Sequence, residues 1–266
     1  MKNKTILAAL VAVALGVASN ATAVVTFDDD LTHGVIFGSG NANGNFTIDR
    51  NQGVELGLRA KIPYSGVTNS NGDGSYSYTT ADIDTGGRAS WNFDWSINTN
   101  ESGASGFVLS DLTYLLEFDY DPSAGVDYHG FGTALGLSGD PVTPTATIPY
   151  FDHALGNNAT VQGPGNPNVA ADATAYAAAM GTDNVAQNSW RGQWMQTIPA
   201  ASFDPYGPGT YNIRLSAFDG SGATVASTEI EVHINGGAPV PEPATMTLLG
   251  LGIAGLGLRA RKRKNA

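Results

Sequence analysis

Five stretches of this chain alternate apolar with polar side chains at a period of two, and no other feature constrains the fold as much. Val54, Leu56, Leu58, Ala60 and Ile62 alternate with Glu55, Gly57, Arg59 and Lys61. Trp91, Phe93, Trp95 and Ile97 alternate with Asn92, Asp94, Ser96 and Asn98. Leu112, Tyr114, Leu116, Phe118 and Tyr120 share a face, as do Tyr211, Ile213, Leu215 and Ala217, and Ile230, Val232 and Ile234. Successive side chains of a strand point to opposite faces, so each run predicts a strand with one dry and one wet face. That is the pattern of antiparallel sheets packed as a sandwich. Glycine-, asparagine- and proline-rich turn clusters at 38–44, 69–74, 99–106 and 205–209 separate the runs. One helix is expected, an alanine-rich run over 169–180 capped by Asn168 and ended by Gly181. The expected fold class is therefore all-β, an antiparallel, jelly-roll-like β-sandwich with one short inserted helix.

The two ends obey different rules and stand outside that fold. Lys2 and Lys4 precede an apolar stretch over 6–17, and Ala21-Thr22-Ala23 closes a run of small residues in the A-x-A pattern that signal peptidase cleaves. Residues 1–23 thus read as a secretory signal peptide and 24–238 as a single extracellular sandwich domain. Residues 240–266 read VPEPATMTLLGLGIAGLGLRARKRKNA, three physically distinct segments in order. Pro241-Glu242-Pro243 is rigid and non-helical, because each proline fixes its own φ and biases the residue before it towards extended backbone. The uncharged apolar segment 244–258 follows, expected as a helix, and Arg259, Arg261, Lys262, Arg263 and Lys264 stop it at the membrane. At about 1.5 Å per residue that helix reaches about 22 Å, short of the ~30 Å hydrocarbon core. Gly250 and Ala254 form a small-xxx-small pair suited to docking on another helix. The basic tail keeps the C-terminus cytoplasmic and everything before Pro241 outside.

The order of tripeptide, apolar helix and arginine-rich tail over 239–266 resembles the PEP-CTERM sorting signal. The resemblance implies recognition around Glu242 by a membrane-embedded, exosortase-type cysteine protease, in bacteria that make exopolysaccharide and biofilm. Body segments GNFTIDRNQGVELGLRAKIPY, WNFDWSINTN, DHALGNNAT and DNVAQNSW resemble a body type that recurs among PEP-CTERM proteins. That second resemblance carries no activity and no catalytic residue.

Of the 13 basic residues, Lys2, Lys4 and the five of the tail lie outside the body, leaving Arg50, Arg59, Lys61, Arg88, Arg191 and Arg214. Against these six stand 23 acids once Glu242 is set aside, a formal body charge of −17. Nucleic acid is excluded as a partner, since its phosphates need clustered Lys and Arg. There is no cysteine, so thiol catalysis, Cys-ligated metals and disulfides are all excluded and the core alone must hold the body together.

Few residues point to chemistry. His33, His129, His153 and His233 show no metal-ligand spacing; His233 reads as a solvated strand residue and His153 as a loop-fixing hydrogen-bond partner. Asn69-Ser70-Asn71-Gly72-Asp73-Gly74 is similar to the opening of an EF-hand loop, but Thr80 stands where the bidentate Glu belongs, so a hairpin turn is expected. Asp119, Asp121 and Asp127, around Pro122 and Gly125, are the calcium candidate; no other cofactor is expected. Trp91 and Trp95 read as core, whereas Trp190 and Trp194, flanking Arg191-Gly192-Gln193, are the candidates for stacking on a glycan.

The expected function is that of a non-enzymatic surface or extracellular-matrix protein, passing through an inner-membrane intermediate before release and having exopolysaccharide as a candidate partner. A carbohydrate-binding module, with or without calcium, and a secreted glycan hydrolase with unidentified carboxylates stay open as alternatives. N-terminal sequencing of the exported protein should begin at Val24; retention of Met1 to Ala23 would contradict the reading of that segment.

Overall fold

The computed structural model describes residues 24–63, 68–79, 91–122, 125–131, 153–165, 168–192, 204 and 207–235. The signal segment and the whole of 236–266 lie outside the described residues. Two sheets face one another. The first contains β1 (Val24–Asp29), β2 (Phe46–Asn51), β3 (Val54–Lys61), β5 (Asn92–Asn98), β8 (Ala154–Gly156) and β9 (Val185–Arg191), in the order β1-β2-β3-β5-β9-β8. The second contains β4 (Ser75–Tyr78), β6 (Thr113–Asp119), β7 (Tyr128–Phe131), β10 (Gly209–Phe218) and β11 (Thr224–Ile234), in the order β4-β11-β10-β6-β7. The chain crosses repeatedly between the sheets, so the two layers are interwoven. The all-β sandwich is the one the alternation predicts, with one departure: β4 enters parallel to β11, while the other pairings are antiparallel.

Local chemistry sets the register. Asn51 pairs with Val54 across a two-residue turn in which Gln52 and Gly53 both have positive φ, the type I′ geometry whose twist matches the strands it joins. Asp219 organises the turn from β10 to β11, its Oδ1 accepting from the backbone N–H groups of Ser221 and Ala223 at 2.8 and 3.0 Å.

The inward faces form one apolar core. Leu56 and Leu58 of β3 and Phe93, Trp95 and Ile97 of β5 are buried with Leu116 and Phe118 of β6, Ile213 and Leu215 of β10, and Ile230 and Val232 of β11. Rings interlock within it. Trp91 stacks on Phe118 at 6.1 Å and 11°, and Trp190 meets Trp95 edge-on at 5.5 Å. Buried tyrosines reach backbone acceptors: Tyr76 donates to Asn45 O at 2.7 Å and Tyr78 to Thr68 O at 2.6 Å.

The helix is shorter than expected. α1 (Ala173–Met180) starts at Asp172, whose Oδ1 accepts from Ala175 N at 2.7 Å, and Gly181 follows its last turn. Asn168 does not cap it; its side chain donates to Ile36 O at 2.6 Å, and its carbonyl accepts from Leu155 N. Val169 is bridged to Ala154 and is thereby held out of the helix. Tyr176, Ala179 and Met180 pack against the core.

A second correction concerns the polar faces. Every residue of β3 and β5 is buried, so the faces carrying Glu55, Arg59, Asp94 and Ser96 are not wet. Residues 30–45, between β1 and β2, fold over them and place Leu31, Val35, Ile36 and Phe37 in a second apolar cluster with Phe46, Ile48, Ala154 and Val185. Gly57 permits the contact, since a Cβ there would lie 2.7 Å from Leu31 Cδ2. Leu56→Ala, which empties the main core, should cost about 2–5 kcal/mol in denaturant unfolding; a loss within experimental error would contradict the packing described.

Candidate functional site

Under the 30–45 segment lies a buried assembly of charged and polar side chains. The antiparallel register sets Arg59 of β3 directly opposite Asp94 of β5, and Lys61 opposite Asn92. Arg59 Nε donates to Asp94 Oδ2 at 2.8 Å, and Lys61 Nζ lies 2.9 Å from the same oxygen. The three side chains are only 4, 0 and 6% exposed, in the order Arg59, Asp94, Lys61. Burial pulls the Lys61 ammonium below the ordinary lysine range, against the opposing pull of Asp94.

The overlying segment is fastened through these groups. Arg59 Nη1 donates to Ala42 O at 2.9 Å and Gly44 O at 2.7 Å, with its guanidinium 4.2 Å from the centre of the Phe46 ring. Lys61 donates to Asn41 Oδ1 at 2.6 Å. Gln187 of β9 accepts from Ile36 N at 2.8 Å and donates to Gly34 O and Ser96 Oγ, each at 3.0 Å. Glu55 accepts from Thr32 Oγ1 at 2.6 Å and from Arg50 Nε at 2.8 Å. Arg50 also donates to Asp29 at 2.7 Å, and that hydrogen bond holds the Asp29 carboxyl below its usual range.

The alternation in β3 and β5 put these residues on one face, but a charged face in a sheet ordinarily points to water. The missed signal was scarcity: Arg59 and Lys61, two of the body's six cations, sit two residues apart on one strand.

Asp119, Asp121 and Asp127, singled out by sequence for binding, lie near one another at the end of β6. Asp119 is buried, and burial pushes its carboxyl above the ordinary range; its Oδ1 accepts from Asp121 N at 3.0 Å. Asp127 is largely exposed, 3.8 Å from His129 Nε2. Among the described residues no three His, Cys, Asp or Glu side chains come together in a group that would hold a metal ion, so Asp119, Asp121 and Asp127 form no ligand set there. The 69–74 segment is a turn, with Asp73 Oδ1 accepting from Ser75 N at 3.0 Å and Ser77 N donating to Asn69 O.

Trp190 is no stacking platform. It is 4% exposed, with its ring edge-on to both Phe93 and Trp95, so neither face is left for a sugar. Its register opposite Phe93 fixes it on the inner side of β9. Trp194 lies outside the described residues. Trp91 and Trp95 are core, as their alternation predicts. The histidines are dispersed: His33 Nε2 is 2.7 Å from Glu101 O, His233 Nδ1 is 3.1 Å from Thr210 Oγ1, and His153 Nε2 is 3.2 Å from the Tyr176 hydroxyl.

The sorting residues Ala21, Ala23, Pro241, Glu242 and Pro243, the basic stop and the apolar segment 244–258 also lie outside the described residues. Among those described, no helix is long and apolar enough to cross a membrane. The C-terminal segment is identified by its sequence: residues 239–263 match the family model of the PEP-CTERM protein-sorting motif. The chain carries a PEP-CTERM sorting signal. That signal marks an exported protein, sorted at the membrane and processed through exosortase. The PEP-CTERM match is confined to the C-terminal segment and no curated protein matches the chain, so the resemblance of the body segments gains no support.

His153 makes the fold sensitive to acid. Burial pushes its imidazole down from 6.5 to about 4, so the folded protein keeps it neutral where the unfolded chain protonates it. Stability linked to this group is full above about pH 6.5 and is lost as pH falls towards 4, by about 3 kcal/mol in all. A His153→Gln variant should lack that increment of the pH dependence in denaturant titrations at pH 7 and pH 4; an unchanged slope would contradict the burial argument.

Proposed function

We propose that the body is a non-enzymatic component of the cell surface or extracellular matrix of an exopolysaccharide-producing bacterium, delivered by export and released by cleavage in the PEP segment. The observation that carries this reading is the PEP-CTERM match over 239–263, at the end of an otherwise strongly acidic body. In it, signal peptidase removes residues 1–23, the helix 244–258 docks transiently in the inner membrane with Arg259 to Lys264 on the cytoplasmic side, and the exosortase recognises Glu242 between its two prolines. Exopolysaccharide is the candidate partner outside the cell.

The chemistry of the body supports a structural role. Buried Arg59 is committed to two backbone carbonyls and buried Glu55 to Thr32 and Arg50, while half-exposed Arg214 is bound to Glu117 at 2.7 Å. With 23 acids against six bases, the exported body carries the charge that keeps a matrix protein soluble and away from anionic surfaces.

In the native host, Glu242→Ala should accumulate in the inner membrane with its C-terminal segment intact, while the wild-type mature protein lacks Leu248 to Lys264 by intact mass. Normal release of the variant, or retention of that segment in the mature wild type, would contradict the proposal.

A further inference from the structure

The buried cluster on β3 and β5 has a charge imbalance and a geometry that a hydrogen-bonded latch does not require. Two cations, Arg59 and Lys61, share the single oxygen Asp94 Oδ2, while Asp94 Oδ1 is buried without a hydrogen-bond partner. A buried site with one uncompensated positive charge is costly, and it is relieved if one cation loses its charge. Lys61 is the one that can, because a guanidinium holds its proton and an ammonium does not.

The group facing that ammonium is a carboxamide. Lys61 Nζ is 2.6 Å from Asn41 Oδ1, and the carbonyl carbon Cγ is at most one C=O bond further away. Asn41 is held in place. Its Nδ2 donates to Phe37 O at 3.2 Å, which aims Oδ1 at the lysine, and its own carbonyl accepts from Gln162 Nε2 at 3.1 Å. Phe37 is buried, its ring 5.3 Å from Nζ, and Phe46 lies beneath Arg59, so the reacting groups sit against apolar walls. A buried amine and a buried carboxylate are thus fixed beside a half-buried carboxamide, a condition that raises effective concentration and activates a lysine nucleophile.

We propose that Lys61 and Asn41 become joined by an intramolecular isopeptide bond, with Asp94 as the catalytic residue that carries the proton. The Lys61 ammonium passes one proton to Asp94, leaving a neutral amine beside a neutral acid. The Nζ lone pair attacks Asn41 Cγ, forming the Nζ–Cγ bond. Asp94 delivers its proton to Nδ2 and takes one from Nζ. The Cγ–Nδ2 bond then breaks as the carbonyl re-forms, and Nδ2 departs as ammonia, which leaves as ammonium when Asp94 returns to the carboxylate. No oxidant or other reactant enters. Asn41 borders the exposed residues Ser39, Gly40 and Ala42, which gives the ammonium an exit. The product site contains one cation and one anion, Arg59 and Asp94. The depressed proton affinity of Lys61, caused by burial and reinforced by the neighbouring Arg59, favours the first step. The bond ties the 30–45 segment covalently to β3 in a body that has no cysteine to do so.

The test is tryptic peptide mapping of protein exported from cells expressing the full chain, denatured before digestion. Wild type should yield a branched peptide joining 24–50 to 60–88, lighter than its two parts by one ammonia, with tandem mass spectrometry placing the bond between Asn41 and Lys61. Trypsin should fail to cut after Lys61. Asn41→Ser and Lys61→Met should abolish the branched peptide, and Asp94→Ala should leave 24–50 linear. Recovery of linear 24–50 with Asn41 unmodified, together with 62–88 from cleavage after Lys61, as the main wild-type products would overturn the proposal whatever the variants do.

Discussion

Asp94 is the point on which the arrangement of this molecule depends. It is a fully buried carboxylate in the middle of a sheet, and a carboxylate is tolerable there only because Arg59 and Lys61 reach it from the neighbouring strand. Those two cations are in turn buried because residues 30–45 lie over them, and the same cations fasten that segment through Ala42, Gly44 and Asn41. Each requirement meets another. The segment needs the two cations for its hydrogen bonds, the cations need the carboxylate, and the carboxylate needs a cation. Removing Asp94 from this set would leave two buried cations without a counter-charge, a loss of about 3–5 kcal/mol or more. The sandwich is thus three layers deep on one side: the second sheet, the first sheet, and a covering segment held by charge as well as by Leu31, Val35, Ile36 and Phe37.

Four of the body's six cations are bound to carboxylates, two of them fully inside the fold. Arg50 is bound to Asp29 and Glu55, Arg59 and Lys61 to Asp94, and Arg214 to Glu117. These four basic residues therefore organise the fold. A strongly negative body suits a protein that carries a PEP-CTERM signal and is exported, because it resists association with anionic surfaces during transit.

The strands of the core were legible because each needs a period of two, and Leu56, Trp95, Leu116, Ile213 and Val232 all obey it. What was not legible came from contacts distant in sequence. The polar residues of β3 and β5 looked solvated because the segment that covers them lies elsewhere in the chain. Trp190 looked exposed because Arg191, Gly192 and Gln193 are polar, yet its register against Phe93 turns it inward. Asn168 looked like a cap because its side chain has the right chemistry, but Ile36 O and the bridge from Val169 to Ala154 claim that stretch first. The sorting signal was the reverse case: its meaning lies in linear order, so it was read directly.

That the covering segment is an integral layer of the fold, and not a loop resting on the surface, is tested most directly by native-state hydrogen exchange at the Ile36 amide, which donates to Gln187 Oε1 at 2.8 Å. This proton is expected to exchange as slowly as the amides of β3, through global unfolding. Exchange as fast as that of the exposed turn around Gly220 would contradict it.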